Sequence, residues 1–357
     1  MRVAYTLEQC WHRVPGGTAI SALEVASALK FVPDIELVAI AGRHAGPPTP
    51  GFAPPFSVAA LPVGGALLYE LWTRCNWPKV ESVVSADLVH ATTVIPPATS
   101  LPLVTTLHDI AFVRHPEFFT AHGNKIFRRS LNILKKKRAT ILCSSVATLN
   151  DCLSEGFSQE LLHHVPLGVH MANLSRDDID RVRVKYSLPR EFVLFVGTQE
   201  PRKNLARLLE ALAVLPDAPP LVVVGMDGWG DSGLSPSHNV ILTGFVPTED
   251  LSAMYAACSV FAFPSVLEGY GLPVIEAMAH GAPVVTSRGT STEEVAGGAA
   301  ELVDPLSVES IAEGLRSALL QQDTLRQRGL LRAASVPWSE TANATARVYR
   351  QLLEGDR

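Results

Sequence analysis

Two glutamates separated by seven residues, Glu268 and Glu276, bracket the string Gly269, Tyr270, Gly271, Leu272, Pro273. An apolar run, 260–263, reads as the strand before them, and Pro273 suits the first turn of a helix ending near Gly281. A helix start offers unpaired N–H groups and a positive dipole end, which suit a diphosphate. A carboxylate in the loop and another one turn into the helix suit vicinal hydroxyls, one set on a sugar and one on a ribose. Upstream, the strand-like run 192–196 ends in Gly197, Thr198, Gln199, Glu200, Pro201, Arg202 and Lys203. Arginine forks a phosphate and lysine supplies a point charge. Two cations fixed at a strand end can therefore stabilise negative charge on a diphosphate in place of a metal. The plain alternative for all four charges is a solvated surface, and the strand–loop–helix settings argue against it.

The first half of the chain adds weaker candidates. Pro15, Gly16, Gly17 and Thr18 open a helix-like segment about ten residues beyond the strand-like run 2–6. Glycines at a helix start allow close backbone approach to a ligand, although a simple glycine turn explains them too. The run 101–106 leads into His108 and Asp109, a pair at the carboxyl end of a central strand. Ser144 and Ser145 read as helix-capping residues. Gly244, Phe245 and Val246 follow the run 240–243 and could flank a nucleobase; an ordinary turn with Thr248 as helix cap fits equally well.

These residues need elements that present strand ends to a common face. Short apolar β-branched runs at 2–6, 35–40, 87–91, 101–106, 140–143 and 162–165 alternate with amphipathic segments, and 46–65 reads as loop plus a short strand. A second series occupies 192–196, 220–225, 240–243, 259–263, 283–286 and 299–302. Continuous apolar strands alternating with helices predict parallel sheets covered on both faces. Two series predict two doubly wound α/β domains, each binding ligands beyond the carboxyl ends of its strands. The polar stretch 168–190 marks the break, giving domains 1–170 and 171–338, and 339–357 reads as a terminal amphipathic helix. The 357 residues, 47% hydrophobic and 18% charged, suffice for two large cores. A net charge of −5 argues against a general nucleic-acid binder. Neither a membrane-length apolar run nor a secretory leader is visible, and the five cysteines form no CxxC pair, so a cytoplasmic protein with reduced thiols is expected.

The segment from Glu268 to Val284 resembles the signature of glycosyltransferase family 4, a GT-B family. The match comprises the two glutamates, the Gly-Tyr-Gly element and the tail beginning at Ala277. The string 197–204 resembles the same family's phosphate-binding turn. The phrase 105–117 looks like a subgroup containing many mannosyltransferases. The resemblance implies a GT-B fold of two Rossmann-like domains facing a central cleft, with the last helix crossing back to the first domain. It implies a retaining, metal-independent transfer of a hexose from a nucleotide-diphosphate sugar, by front-face attack. Mannose or glucose is favoured, and the 105–117 phrase tilts toward GDP-mannose. Glu268 would contact donor-sugar hydroxyls and Glu276 the ribose. Backbone amides at Gly269, Tyr270, Gly271 and Leu272 would receive sugar and phosphate oxygens. Arg202 and Lys203 would hold the diphosphate, Gly16 and Gly17 would lie against it, and Gly244, Phe245 and Val246 would lie near the base. His108 would point at the donor sugar near the reacting carbon, and Asp109 would sit on the acceptor side.

Asp178 and Asp180 carry the letters of a metal site but lie away from a strand end, and no cluster has metal-ligand spacing; they read as solvated surface. A nucleotide sugar is expected as co-substrate, with no metal and no resident cofactor. The acceptor, whether glycan, lipid-linked or small molecule, is left open. The segment 125–138 concentrates Lys125, Arg128, Arg129, Lys135, Lys136, Lys137 and Arg138. Either it docks on an anionic membrane surface, placing the protein peripherally at the inner face, or its charges simply meet water. Two rival functions stand beside transfer: a sugar-nucleotide epimerase or hydrolase on the same scaffold, and a non-catalytic sugar-nucleotide-binding module.

Overall fold

The computed structural model describes residues 1–225 and 239–355. The chain divides into two compact units, Met1–Gly168 together with the segment from Trp338 onward, and Val169–Pro337.

Unit 1 opens with β1 (Arg2–Thr6), α1 (Gly16–Leu29), β2 (Glu36–Gly42), β3 (Val58–Leu61) and α2 (Gly65–Cys75). It continues with β4 (Leu88–Ala91), β5 (Leu103–Leu107), α3 (Ala111–Arg114), α4 (Ala121–Lys136), β6 (Thr140–Cys143), α5 (Val146–Ser154) and β7 (Leu162–His164). The sheet runs β3-β2-β1-β4-β5-β6-β7, and every pairing is parallel. Because β1 pairs with both β2 and β4, the chain's direction of winding reverses there, and a ligand crevice is expected beyond that point. Val89, Ile141, Leu68, Trp72, Ile126 and Leu134 belong to one buried core beneath the covering helices.

Unit 2 comprises α6 (Arg176–Lys185), β8 (Val193–Val196), α7 (Leu205–Val214), β9 (Leu221–Val224), β10 (Val240–Gly244), α8 (Thr248–Ala257) and β11 (Val260–Phe263). It closes with α9 (Leu272–Ala279), β12 (Val284–Ser287), α10 (Ser291–Ala296), β13 (Glu301–Val303), α11 (Val308–Leu320) and α12 (Gln322–Ala334). Its parallel sheet runs β10-β9-β8-β11-β12-β13, so the reversal falls between β8 and β11. Val193, Phe195, Val223, Val260, Val285 and Leu315 lie in its core. Both are Rossmann-like α/β sheets of the GT-B type.

The last helix, α13 (Trp338–Gly355), packs against α1 of unit 1. The Tyr349 hydroxyl stands 2.5 Å from His90 Nδ1, and the Thr341 hydroxyl donates to the Pro166 carbonyl at 2.9 Å. The amphipathic face of α13 is therefore satisfied by the first sheet's helices and strands.

Two local expectations need correction, and a third holds. The polar stretch 168–190 is not all linker: it contains α6, whose start is a capping box in which Ser175 and Asp178 bond reciprocally. The Asp178 carboxylate is thereby occupied with the helix end, accepting from the Ser175 N–H at 3.0 Å. Thr248 does not cap α8; Pro247 holds that position and Thr248 is the first helical residue. Gly16 and Gly17 do open a helix, as the first two residues of α1.

Candidate active site

The loops leaving β8 and β11 emerge side by side because those strands pair directly. The Val266 N–H donates to the Arg202 carbonyl at 2.9 Å, and Asn204 Nδ2 donates to the Pro264 carbonyl at 2.9 Å, locking one loop to the other. The result is a four-charge cluster. Lys203 Nζ lies 2.6 Å from Glu268 Oε1, and Arg202 Nη1 lies 3.2 Å from Glu268 Oε2. Arg202 Nε donates to Glu200 at 2.8 Å, and Glu200 also accepts from the Thr198 hydroxyl at 2.6 Å. The Lys203 ammonium sits 4.7 Å from the centre of the Phe263 ring.

Burial lowers the Lys203 pKa, and Glu268 opposes that shift. Burial also pushes the Glu268 carboxyl up, but Lys203 and Arg202 outweigh it and hold the pKa below the usual range. Two cations and two carboxylates cancel, so both cations are already held by Glu268 and Glu200. The expectation that Glu268 serves sugar hydroxyls while the cations serve phosphate thus meets a residue bonded to both cations.

Beyond Glu268 the chain turns into α9. Gly271 precedes it with φ of 107°, and a Cβ there would stand 2.8 Å from Thr292 Cγ2, so glycine is required on both counts. Leu272 and Pro273 begin the helix, Tyr270 is buried, and the Ser291 hydroxyl donates to the Glu268 carbonyl at 2.7 Å. Glu276 sits one turn into α9 and accepts from the Tyr255 hydroxyl at 3.4 Å. Gly244, Phe245 and Val246 stand at the end of edge strand β10, with β9 between that strand and β8. Phe245 is 66% exposed while Val246 is buried.

In unit 1, His108 follows β5 directly. Its Nε2 lies 3.2 Å from the Ser21 hydroxyl, and its carbonyl accepts from the Thr148 and Ser144 hydroxyls at 2.7 and 3.2 Å. Burial lowers its pKa to about 4, so the ring is neutral near pH 7. Asp109 accepts from the Ala111 N–H at 3.0 Å, steering the chain into α3. His108 and Asp109 line a cavity of about 290 Å³ whose other walls include Gln9, His12, Pro15 and Thr18. The glycine-bearing segment at 15–18 therefore borders the same space as the His–Asp pair. Among the described residues no group of three or more His, Cys, Asp or Glu is placed to hold a metal ion.

Several residues of this machinery escape a reading by motif. Glu200 stood inside the quoted string without a role. Ser21 lies on α1, where nothing in its spacing points to His108. Glu8 is buried and accepts from the Gly42 and Gly65 N–H groups at 2.6 Å each, pinning three separate loops beside the His12 segment. A lone glutamate opening a 3-10 turn carries no local signal for such a task.

The fold and its loop-borne clusters define a glycosyltransferase scaffold, and comparison with other proteins agrees. Residues 177–329 match the family described as Glycosyl transferases group 1. The chain is 32% identical over 268 residues to the O-antigen chain mannosyltransferase B of Escherichia coli, covering 70% of each chain. It is 31% identical over 277 residues to the MMP alpha-(1->4)-mannosyltransferase of Mycolicibacterium hassiacum, covering 71% of this chain and 66% of that one. It is 34% identical over 200 residues to the serotype-specific mannosyltransferase WbdA of Escherichia coli, matching only 24% of that longer protein's length. The fold is similar to HepE of Anabaena, with a TM-score of 0.73 at 20% identity, covering 98% of this chain and 100% of that one. It is also similar to sucrose-phosphate synthase of Thermosynechococcus elongatus, with a TM-score of 0.76 at 20% identity, covering 99% and 100%. The chain belongs to the group 1 glycosyl transferases and is a nucleotide-sugar-dependent glycosyltransferase of the GT-B class.

Proposed function

We propose that the protein transfers a hexose, mannose in the first instance, from a nucleotide-diphosphate sugar to an acceptor hydroxyl with retention and without a metal. The observation that carries this reading is the convergence of Arg202, Lys203 and Glu268 at the β8/β11 reversal. Mannosyltransferases among the relatives support mannose, and the 105–117 phrase supports GDP-mannose.

On this reading Arg202 and Lys203 exchange Glu268 for the donor's diphosphate. The released carboxylate then accepts from sugar hydroxyls, Glu276 accepts from the ribose, and the Gly269–Leu272 amides meet the remaining oxygens. The Gly244, Phe245 and Val246 turn flanks the base. The acceptor oxygen bonds to the anomeric carbon as that carbon's bond to the phosphate oxygen breaks. The departing phosphate oxygen takes the acceptor's proton, and its negative charge rests on the two cations. His108, neutral at pH 7, assists at the sugar; Asp109 lies on the acceptor side, and Gly16 and Gly17 approach the diphosphate.

The test combines thermal shift with product analysis. GDP is expected to raise the melting temperature more than UDP by mass action. GDP-mannose with an acceptor is expected to give an α-linked product in excess EDTA. An inverted product, complete loss in EDTA restored by a divalent metal, or rapid turnover of the donor with no acceptor would each sink the reading.

A further inference from the structure

The cavity beside His108 has a composition that specifies its occupant. The Phe112, Phe119 and Phe127 rings form one wall cluster, with centroids 5.1 to 6.1 Å apart. Phe112 is buried beneath the other two, and Phe119 and Phe127 are half-buried. The lining also holds hydroxyl and amide groups: Tyr69, whose OH is 2.8 Å from His12 Nε2, together with Gln9 and Thr93. Among the described residues that line the cavity there is no lysine or arginine, and the Asp109 carboxylate is one of them. Burial lowers the His12 pKa, so that ring adds no positive charge near neutral pH. A phosphate or carboxylate entering here would lose water without gaining a cation and would face Asp109.

The geometry points to a neutral glycoside acceptor whose aryl or short alkyl aglycone lies on the Phe112–Phe119–Phe127 wall while its sugar hydroxyls meet the His12–Tyr69–Gln9 side. This inference rests on the transferase reading and names the acceptor class for it. A volume of about 290 Å³ lies at the small end of the ~300–1,000 Å³ typical of small-molecule sites, which suits one sugar ring with one apolar group. The cavity opens beyond the carboxyl ends of β1, β4 and β5, where a doubly wound sheet accepts ligands.

The probes are phenyl α-mannoside, methyl α-mannoside and mannose 6-phosphate, titrated calorimetrically into the full chain. Burial of one phenyl face is expected to make the phenyl glycoside bind at least about tenfold more tightly than the methyl glycoside. Mannose 6-phosphate should bind most weakly of the three. Phe119→Ala should erase most of the phenyl-over-methyl preference, and Phe119→Leu should keep part of it. Equal affinity for the phenyl and methyl glycosides, or tightest binding of the phosphate, would overturn the assignment without any variant being needed. Retention of the full preference in a folded Phe119→Ala protein would do the same. Nucleotide binding is followed in parallel: loss of GDP binding and transfer with the phenyl preference intact would refute the donor reading alone.

Discussion

Lys203 and Glu268 form a buried ion pair at 2.6 Å, with side chains 10% and 8% exposed, although they are 65 residues apart in the chain. Each offsets the other's desolvation, and removing Lys203 leaves Glu268 the Arg202 guanidinium at 3.2 Å as its remaining cation. Lys203→Ala is expected to destabilise unit 2 by about 1.5–3 kcal/mol and to lower transfer by roughly 10²–10³-fold. Lys203→Met with Glu268→Leu should recover most of the stability and none of the nucleotide binding. Thermal melts with and without GDP, beside transfer rates, separate the two effects. A double variant as unstable as Lys203→Ala would contradict the pairing argument.

His90 is wholly buried between Tyr349 and Thr106, the latter 2.8 Å from its Nε2. Burial first, then the neighbouring His108, lowers its pKa from 6.5 to about 3. The unfolded chain therefore binds a proton that the folded chain does not, between about pH 6.5 and pH 3. Folding stability falls as pH drops through that window, by a few kcal/mol at its lower end. His90→Gln, which cannot titrate, should flatten the decline in a series of urea melts from pH 7 to pH 4. An unchanged slope would show that other groups govern it.

Asp250 clamps α6 to α8. Its buried carboxylate accepts from Lys185 at 2.6 Å, from the Tyr186 hydroxyl at 2.8 Å, and from Arg181. Burial pushes its pKa up, but these three partners prevail and bring it down to about 2. This contribution is present above the unfolded value near 3.8 and is lost as pH falls toward 2, the acid side of the His90 window. Asp250→Asn is expected to cost about 2 kcal/mol at pH 7 and progressively less below pH 4. Equal costs at pH 7 and pH 3 would argue against an ionic origin.

The basic segment 125–138, most of it in α4, is largely satisfied from within the protein. Arg129 bonds Glu70 and Thr73, Arg128 the Val113 carbonyl, Lys137 the Thr99 carbonyl, Arg138 Glu160, and Lys135 pairs with Glu155. Arg128, Lys137 and Arg138 are exposed despite these bonds, and Lys125 and Lys136 are the further exposed lysines of the segment. If the protein docks peripherally, these two lysines supply roughly 1 kcal/mol each. Co-sedimentation with phosphatidylserine vesicles should therefore be weak at low salt, absent at high salt, and lost in K125E with K136E. Binding that survives the double substitution would place the contact elsewhere.

Much of the architecture was legible because parallel strands buried on both faces must be apolar without interruption, and that rhythm is local. The runs at 2–6, 140–143 and 260–263 coincide with β1, β6 and β11 within a residue. The candidate site residues were legible for a related reason: in such folds the residues just past a strand end reach the ligand face, which singled out His108, Arg202, Lys203 and Glu268. Local pattern misled where caps are concerned, since Thr248 and Pro247 both satisfy the composition of a helix start and only the backbone course chooses between them.

Strand order and polar partnership were decided by tertiary structure. Alternation of strands and helices says nothing about β11 pairing with β8 in preference to β10, the strand before it in the chain, yet that pairing brings Glu268 onto Arg202 and Lys203. Tyr349 reaches His90 across 259 residues for the same reason, and the three phenylalanines share a cavity with Gln9, His12 and Tyr69 only because loops from separate strands meet. Apolar burial is nearly indifferent to which partner supplies it, so composition and period suffice to read it. A hydrogen bond or ion pair requires one partner at one distance, and that is set by the packed chain.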